Sequence, residues 1–260
     1  MNRIGRLDSV WRYPVKSMRG EAVDEVFVAY TGVMGDRVYA VRSSAADPEC
    51  PWHTGREQEE LVLCQARFKQ QNRTLLPEAL DAAHADALNP PYPDAESFRV
   101  AVKMADGSRY DIDDPAFLAR LADYSDGQLQ LVFTHKNAVD CRPLSLFSLQ
   151  TLQQLEGELE MALDQRRFRA NFYVDWDSAA GFYENELVNR KLRIGDRLEI
   201  MLLALDPRCK MITIDPETGE TTPRLLKHVA RKHDGYAGVY AVVLIEGTVR
   251  PGDQILLLDE

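Results

Sequence analysis

The sequence predicts an α+β protein rich in strands, with barrel-like mixed sheets and a few interspersed helices. Short apolar and β-branched runs recur along the chain, bounded by Gly, Pro, Asn and Asp. Asp106-Gly107 sits between two of them, a strong hairpin signal. Helical patterning is confined to a few stretches, and no repeat of 20–50 residues is visible.

In chain order, Val10–Tyr13 alternates weakly and Val23–Ala29 is a clearer strand. Val38–Val41 follows the Gly35-Asp36 turn, and Leu61–Phe68 forms another strand. Residues 75–95, with four prolines and several alanines, form a long surface excursion. The hairpin pairs Phe98–Met104 with Tyr110–Ile112. A short helix follows, with Asp113 or Asp114 as cap and Pro115 in its first turn. Leu129–Phe133 is a strand. A helix begins at Ser148, its cap, and carries Leu149, Leu152, Leu155 and Leu159 as a core-facing stripe. Phe172–Asp175 and Leu198–Leu205 are strands, Thr222-Pro223 opens a helix to about His233, and Val239–Ile245 and Gln254–Leu257 end the pattern. The boundary between two domains falls between Tyr110 and Gln128, giving residues 1–115 and 116–260.

Composition narrows the function. The 260 residues are 45% hydrophobic and 28% charged, which excludes wholesale disorder. The longest apolar runs are six or seven residues, far below the ~18 needed for a membrane helix, and the first residues lack the apolar core of a secretory signal. A soluble, cytoplasmic protein is expected. Its 31 Lys and Arg against 41 Asp and Glu give a net charge of −10, a field that repels nucleic acid and anionic membranes. An anionic ligand must therefore meet a local basic cluster.

Four cysteines, Cys50, Cys64, Cys141 and Cys209, lie far apart with no zinc-finger spacing. Cys209 stands out in Leu205-Asp206-Pro207-Arg208-Cys209-Lys210, because cations beside a thiol favour the thiolate, a soft metal ligand or nucleophile. An isolated Arg-Cys-Lys is nevertheless more often a buried small residue. Tyr13-Pro14-Val15-Lys16-Ser17-Met18-Arg19-Gly20 offers an ammonium, a hydroxyl and loop N–H groups, the equipment that holds a phosphate. In Gly32-Val33-Met34-Gly35-Asp36-Arg37, Asp36 either orients a guanidinium or only makes the turn. Arg167-Phe168-Arg169-Ala170-Asn171 enters a strand, where alternation sets Arg169 and Asn171 on one face. His53, His84, His135, His228 and His233 show no metal-ligand spacing. His228 and His233, five apart on a helix, do not share a face.

Together these motifs resemble, in order and spacing, the MOSC-domain proteins that carry an N-terminal MOSC-associated β-barrel. That branch includes the mitochondrial amidoxime-reducing component and its bacterial relatives. Thr54-Gly55-Arg56, Pro143–Ser148 and Gly238-Val239-Tyr240…Gly247…Pro251-Gly252-Asp253 add to the resemblance, which spans almost all of the chain outside 75–95. It implies a MOSC fold behind an N-terminal β-barrel domain, and a molybdenum cofactor whose metal is held by Cys209. It further implies Lys16, Ser17 and Arg37 as grips on the cofactor's phosphate and pterin. Arg169, Asn171 and Arg208 match other binding positions, and Ser148 adds a hydroxyl or a backbone N–H.

Three positions depart from the pattern. Ala170 replaces a proline, Leu187-Val188-Asn189 replaces Trp-x-Gly near the expected site mouth, and Thr54-Gly55-Arg56 replaces Thr-Gln-Arg.

The resemblance implies a molybdenum oxidoreductase acting on N-hydroxylated or N-oxide small molecules. Its electrons are expected from a separate ferredoxin- or flavin-type donor, because neither a membrane anchor nor a ferredoxin domain is recognised. A second reading is a non-redox cofactor-binding or sulfur-carrier protein with a persulfide on Cys209. A third, a cysteine hydrolase, lacks a histidine tied to Cys209 in the sequence.

Overall fold

The computed structural model describes residues 2–77, 80, 93–135, 137–177 and 179–258. Much of the 75–95 excursion lies outside them. The centre of the molecule is a closed barrel of seven strands. Strands β1 (Asn2–Arg12), β10 (Leu144–Ser148), β11 (Phe172–Trp176), β12 (Lys191–Ile194), β13 (Leu198–Pro207), β14 (Tyr236–Ile245) and β16 (Gln254–Leu257) are numbered in chain order. They run β11-β10-β14-β13-β12-β16-β1, and β1 closes the ring by pairing with β11.

Only β10 and β11 are parallel; the other barrel neighbours are antiparallel. Closure leaves no unpaired edge, the usual liability of a sheet. Inward positions carry the apolar residues, as strand alternation requires: Leu7, Val10, Phe172, Val174, Ile200 and Ile255 share one buried cluster. Each such side chain contributes about 1.5–3 kcal/mol by leaving water.

The first strand is longer than the alternation at Val10–Tyr13 predicts. Arg3, Arg6 and Asp8, all exposed, interrupt the apolar signal, while successive pairing with β16, β11 and residues Glu21–Val23 holds the strand from end to end. It also ties the N-terminal residues into a barrel otherwise built from residues 144–257.

Around the barrel lie smaller sheets. One contains β3 (Val26–Ala29), β4 (Gly32–Val33) and β15 (Gly247–Val249), and another pairs β5 (Tyr39–Ser43) with β9 (Leu129–Phe133). A third orders β6 (Gln65–Phe68), β7 (Val100–Lys103) and β8 (Arg109–Asp111), with the expected Asp106-Gly107 turn joining the last two. Helix α1 (Pro115–Ala122) begins as expected, with Asp114 accepting from the Ala116 N–H and Pro115 in the first turn. Helix α2 (Leu149–Leu159) has Ser148 as its cap. A short α3 (Tyr183–Glu186) and α4 (Pro223–Lys232) complete the described helices.

Two expected strands hold only in part: Val23–Ala29 is interrupted at Asp24-Glu25, which leaves β2 (Glu21–Val23) and β3 as separate strands. Within Leu61–Phe68, only Gln65–Phe68 is a strand, while Glu59–Leu63 forms a 3₁₀ turn that buries Leu61 and Val62. A short apolar run does not distinguish the two, and here Leu61 N–H bonds back to Gln58 O.

Arg12, the last residue of β1, fastens the barrel to the smaller sheets. Its guanidinium is fully buried, pairs with Glu21 at 2.7 Å, donates to Thr74 O and lies 4.6 Å from the Phe68 ring centroid.

Candidate functional site

Past Arg12 the chain leaves the barrel rim as the loop 13–20. Tyr13 N–H donates to Asp36 Oδ1 at 2.8 Å, and Lys16 N–H to Tyr39 O at 2.8 Å, so this loop is stitched to the 34–38 loop. At the same rim β13 runs out into Arg208 and Cys209, and a 3₁₀ turn (Gln165–Phe168) delivers Arg169 just before β11. These segments enclose a cleft of about 120 Å³ that contains Lys16, Ser17, Arg37, Arg169, Arg208 and Cys209. Six of the eight residues singled out in the sequence thus face one space.

The backbone is shaped for the purpose. Ser17, Arg37 and Arg169 all sit in the left-handed region, at φ 67°, 46° and 52°, where non-glycine residues are uncommon. Tyr13 is the platform between the two arginines: its ring centroid lies 4.6 Å from the Arg37 guanidinium and 4.3 Å from that of Arg169. Arg37 is further fixed by Asp36 at 2.6 Å and by Arg169 O at 3.0 Å, and Arg169 donates to Met18 O at 2.8 Å. Burial pulls the Arg169 guanidinium down to about 10, against the opposing pull of Tyr13.

Arg208 donates to Ala237 O at 2.6 Å and Phe168 O at 3.0 Å, and pairs with Asp206 at 2.8 Å. Gly238 makes room for it: at φ +84° a Cβ would stand 2.7 Å from Leu146 O and 2.9 Å from Arg208 Nη2. Burial raises the Asp206 carboxyl, with Arg208 opposing, and burial pushes the Tyr240 phenol up, so its hydroxyl keeps its proton beside Asp206.

Lys16 is buried and reaches Ala138 O at 2.8 Å and Asp140 Oδ1 at 2.7 Å. Desolvation lowers its ammonium, partly offset by Asp140. Cys209 caps a 3₁₀ turn, and its sulfur makes no hydrogen bond among the described residues. Its neighbour Lys210 is turned away to Glu59 Oε1 and Arg56 O, at 2.6 and 2.7 Å. The cations that join Arg208 in lining the cleft come from distant sequence.

Two predicted residues lie elsewhere. Asn171 lines an adjoining cavity of about 70 Å³ and bonds to Ser145 and to Trp11 O. It does not share a face with Arg169, because the left-handed turn at Arg169 precedes β11 and interrupts the alternation. Ser148 is fully buried away from the cleft: its hydroxyl accepts from Thr151 N–H and donates to Glu184 Oε2 at 2.7 Å.

The cleft also holds residues given no role from sequence: Arg56, Arg167, Asp140, Asp206 and Tyr240. Arg167 belongs to the Arg-Phe-Arg motif itself, and its Nε is buried without a hydrogen-bond partner among the described residues. Arg56 reaches Cys50 Sγ at 2.8 Å, which brings that cysteine to the rim. Cys64 is buried in the core, where desolvation raises its thiol to about 11, and Cys141 is exposed.

The chain matches two family models, the MOSC N-terminal beta barrel domain over residues 4–121 and the MOSC domain over residues 134–256. It belongs to the MOSC family. Over its full length it is 25% identical to the mitochondrial amidoxime-reducing component 1 of Mus musculus, covering 84% of that protein. A stretch of 85 aligned residues is 39% identical to the molybdenum cofactor sulfurase of Drosophila mojavensis, covering 32% of this chain and 10% of that one. Among solved structures, the YUAD protein from Bacillus subtilis aligns over 97% of this chain and 94% of its own, with 12% identity and a TM-score of 0.47. This MOSC protein has no described helix long and apolar enough to cross a membrane.

The MOSC cleft therefore draws on both matched segments. Lys16, Ser17, Arg37 and Arg56 come from the first, and Arg167, Arg169, Arg208 and Cys209 from the second. Six cationic side chains face two carboxylates in a chain whose net charge is −10. Such a pocket attracts an anion against the global field.

Proposed function

We propose that this MOSC protein binds the molybdenum cofactor and reduces N-hydroxylated and N-oxide compounds, with Cys209 as the protein's ligand to the metal. The observation that carries this reading is the convergence of the Cys209 thiol with six cations in one cleft. Full-length similarity to an amidoxime-reducing component supports the substrate class.

The residues fit such a group. A thiol is the soft donor that molybdenum accepts, and Lys and Arg match a phosphate. Arg167 Nε adds a buried N–H still without a partner among the described residues. The enclosed 120 Å³ is below the roughly 300–1,000 Å³ of most small-molecule sites. Lys16, Arg37, Asp140, Ser145 and Tyr240 line both this cleft and the adjoining cavity of about 70 Å³, so the two spaces are neighbours.

When bound, the cofactor supplies the two-electron step in which the substrate N–O bond breaks and its oxygen leaves as water after taking up two protons. Cys209 anchors the metal from the chain. Lys16, Arg37, Arg169 and Arg208 neutralise the phosphate and fix its orientation, with Tyr13 holding two of them in place. The electrons come from a separate ferredoxin- or flavin-type protein in the cytoplasm.

Molybdenum per chain, measured by mass spectrometry after expression in a host that makes the cofactor, tests the proposal. Near-stoichiometric metal is expected in the wild type and a large loss in Lys16→Ala. Cys209→Ser is expected to abolish amidoxime reduction with a chemical reductant. Wild-type protein free of molybdenum and pterin overturns the reading, and a persulfide on Cys209 then identifies a sulfur carrier.

A further inference from the structure

Away from the cleft, three side chains meet where the end of α2 passes the end of α4. His228 Nε2 and His233 Nε2 both point at one oxygen of Glu158, at 2.6 and 2.7 Å. One donor atom from each of the three lies within 4.8 Å of the other two.

On a continuous helix, residues five apart diverge. Here His233 is the cap that follows α4, at φ −132° and ψ 28°, and Asp234 and Gly235 are left-handed. Leaving the helix at that point swings its ring back beside His228, with the two centroids 5.9 Å apart. The arrangement is also supported from behind. Phe182 stacks on His233 at 4.0 Å, and Gln154 Nε2 donates to the other Glu158 oxygen at 2.8 Å.

We propose that Glu158, His228 and His233 form a divalent transition-metal site, best suited to zinc, that clips α2 to the end of α4. Two imidazole nitrogens and a carboxylate are the donor set of three-ligand zinc sites, which leave a fourth position to water. The side chains are 13–28% exposed, so that position is open to solvent. Bonds of about 2.0–2.1 Å to tetrahedral zinc place donor atoms roughly 3.3 Å apart. Each nitrogen-to-oxygen distance, now 2.6 or 2.7 Å, has to lengthen by less than one ångström. Gln154 then fixes the carboxylate in the manner of an outer-shell partner.

Four exposed cations, Arg224, Lys227, Arg231 and Lys232, share α4 and oppose a dication. This site shares no residue with the cleft of Cys209, and its occupation is independent of the proposed reductase activity.

The test uses untagged full-length protein titrated with zinc, and with cobalt as a spectroscopic probe. The expected result is one ion per chain with visible cobalt bands typical of four-coordination. No sulfur-to-cobalt charge-transfer band accompanies them, and Cys209→Ser binds equally well. His228→Ala, His233→Ala and the near-isosteric Glu158→Gln each weaken binding at least tenfold, and Gln154→Ala weakens it by roughly 10-fold. Circular dichroism confirms that each variant is folded. Unchanged binding in the histidine variants, a charge-transfer band lost in Cys209→Ser, or no binding at micromolar metal overturns the proposal.

Discussion

The Asp206–Arg208 pair offers a sharp test of how the cleft is held. Its side chains are only 5% and 7% exposed, at a separation of 2.8 Å. Replacing Arg208 by Met leaves a buried carboxylate without its cation, a change that costs about 3–5 kcal/mol. At about 2–4 °C per kcal/mol for a protein of this size, the melting temperature falls by roughly 6–20 °C.

Part of that loss comes from Ala237 O and Phe168 O, which Arg208 also satisfies. The double variant Arg208→Met/Asp206→Asn loses the same two bonds but buries no charge. It is therefore expected to melt higher than Arg208→Met alone.

The effect also has a pH signature. Asp206 is already raised above its ordinary value by burial, and Arg208 is the main opposing influence. Removing Arg208 raises it further. A carboxyl raised in the folded state adds stability while protonated, and that stability is lost as pH climbs through the folded value. The deficit of Arg208→Met is thus smaller near pH 5 than near pH 8. Calorimetry of the cofactor-free protein at both pH values, on the wild type and the variants, decides the matter. A loss of stability equal at both pH values, with no rescue by Asp206→Asn, refutes the reasoning.

Three further outcomes follow from the same contacts. Tyr13→Leu removes the platform under Arg37 and Arg169, two stacking contacts worth about 0.5–2 kcal/mol each, and lowers molybdenum content measured on purified protein. Asp140→Asn frees Lys16 from its anionic partner and tightens the binding of inorganic phosphate, read by calorimetric titration, while Lys16→Ala weakens it. Ser148→Ala lowers the melting temperature through loss of a helix cap worth about 0.5–2 kcal/mol, with Glu184 left short of a donor. Its molybdenum content stays at the wild-type level, since the Ser148 hydroxyl does not face the cleft.

Most strands were legible because apolar alternation and turn chemistry are local. The Asp106-Gly107 hairpin, the Asp114 and Ser148 caps and the Gln254–Leu257 strand follow from residues within a few positions of one another. What escaped depends on partners far away in sequence. The outer face of β1 hides its barrel role, and the 3₁₀ turn at Glu59–Leu63 looks like the start of a strand. The face shared by Arg169 and Asn171 failed for a different reason: period-two reasoning presumes an extended backbone, and Arg169 is left-handed. Spacing along a helix likewise hid the meeting of His228 with His233, because α4 ends between them.

The cleft itself is a consequence of how the barrel closes. Because β1 fills the gap between β11 and β16, the loop that follows it emerges at the rim where β13 ends and β11 begins. Lys16 and Ser17 are thereby set opposite Arg169 and Cys209, although more than 150 residues separate them in the chain. Arg12 and Tyr13 then bind this loop to both sides, one gripping Thr74 and Glu21, the other stacked between Arg37 and Arg169. Neither matched segment carries the whole set of cations, so the affinity of the pocket for an anion depends on the seam remaining closed. Substitutions at Arg12 or Asp36, which do not line the cleft, should therefore disturb the site through position rather than through chemistry.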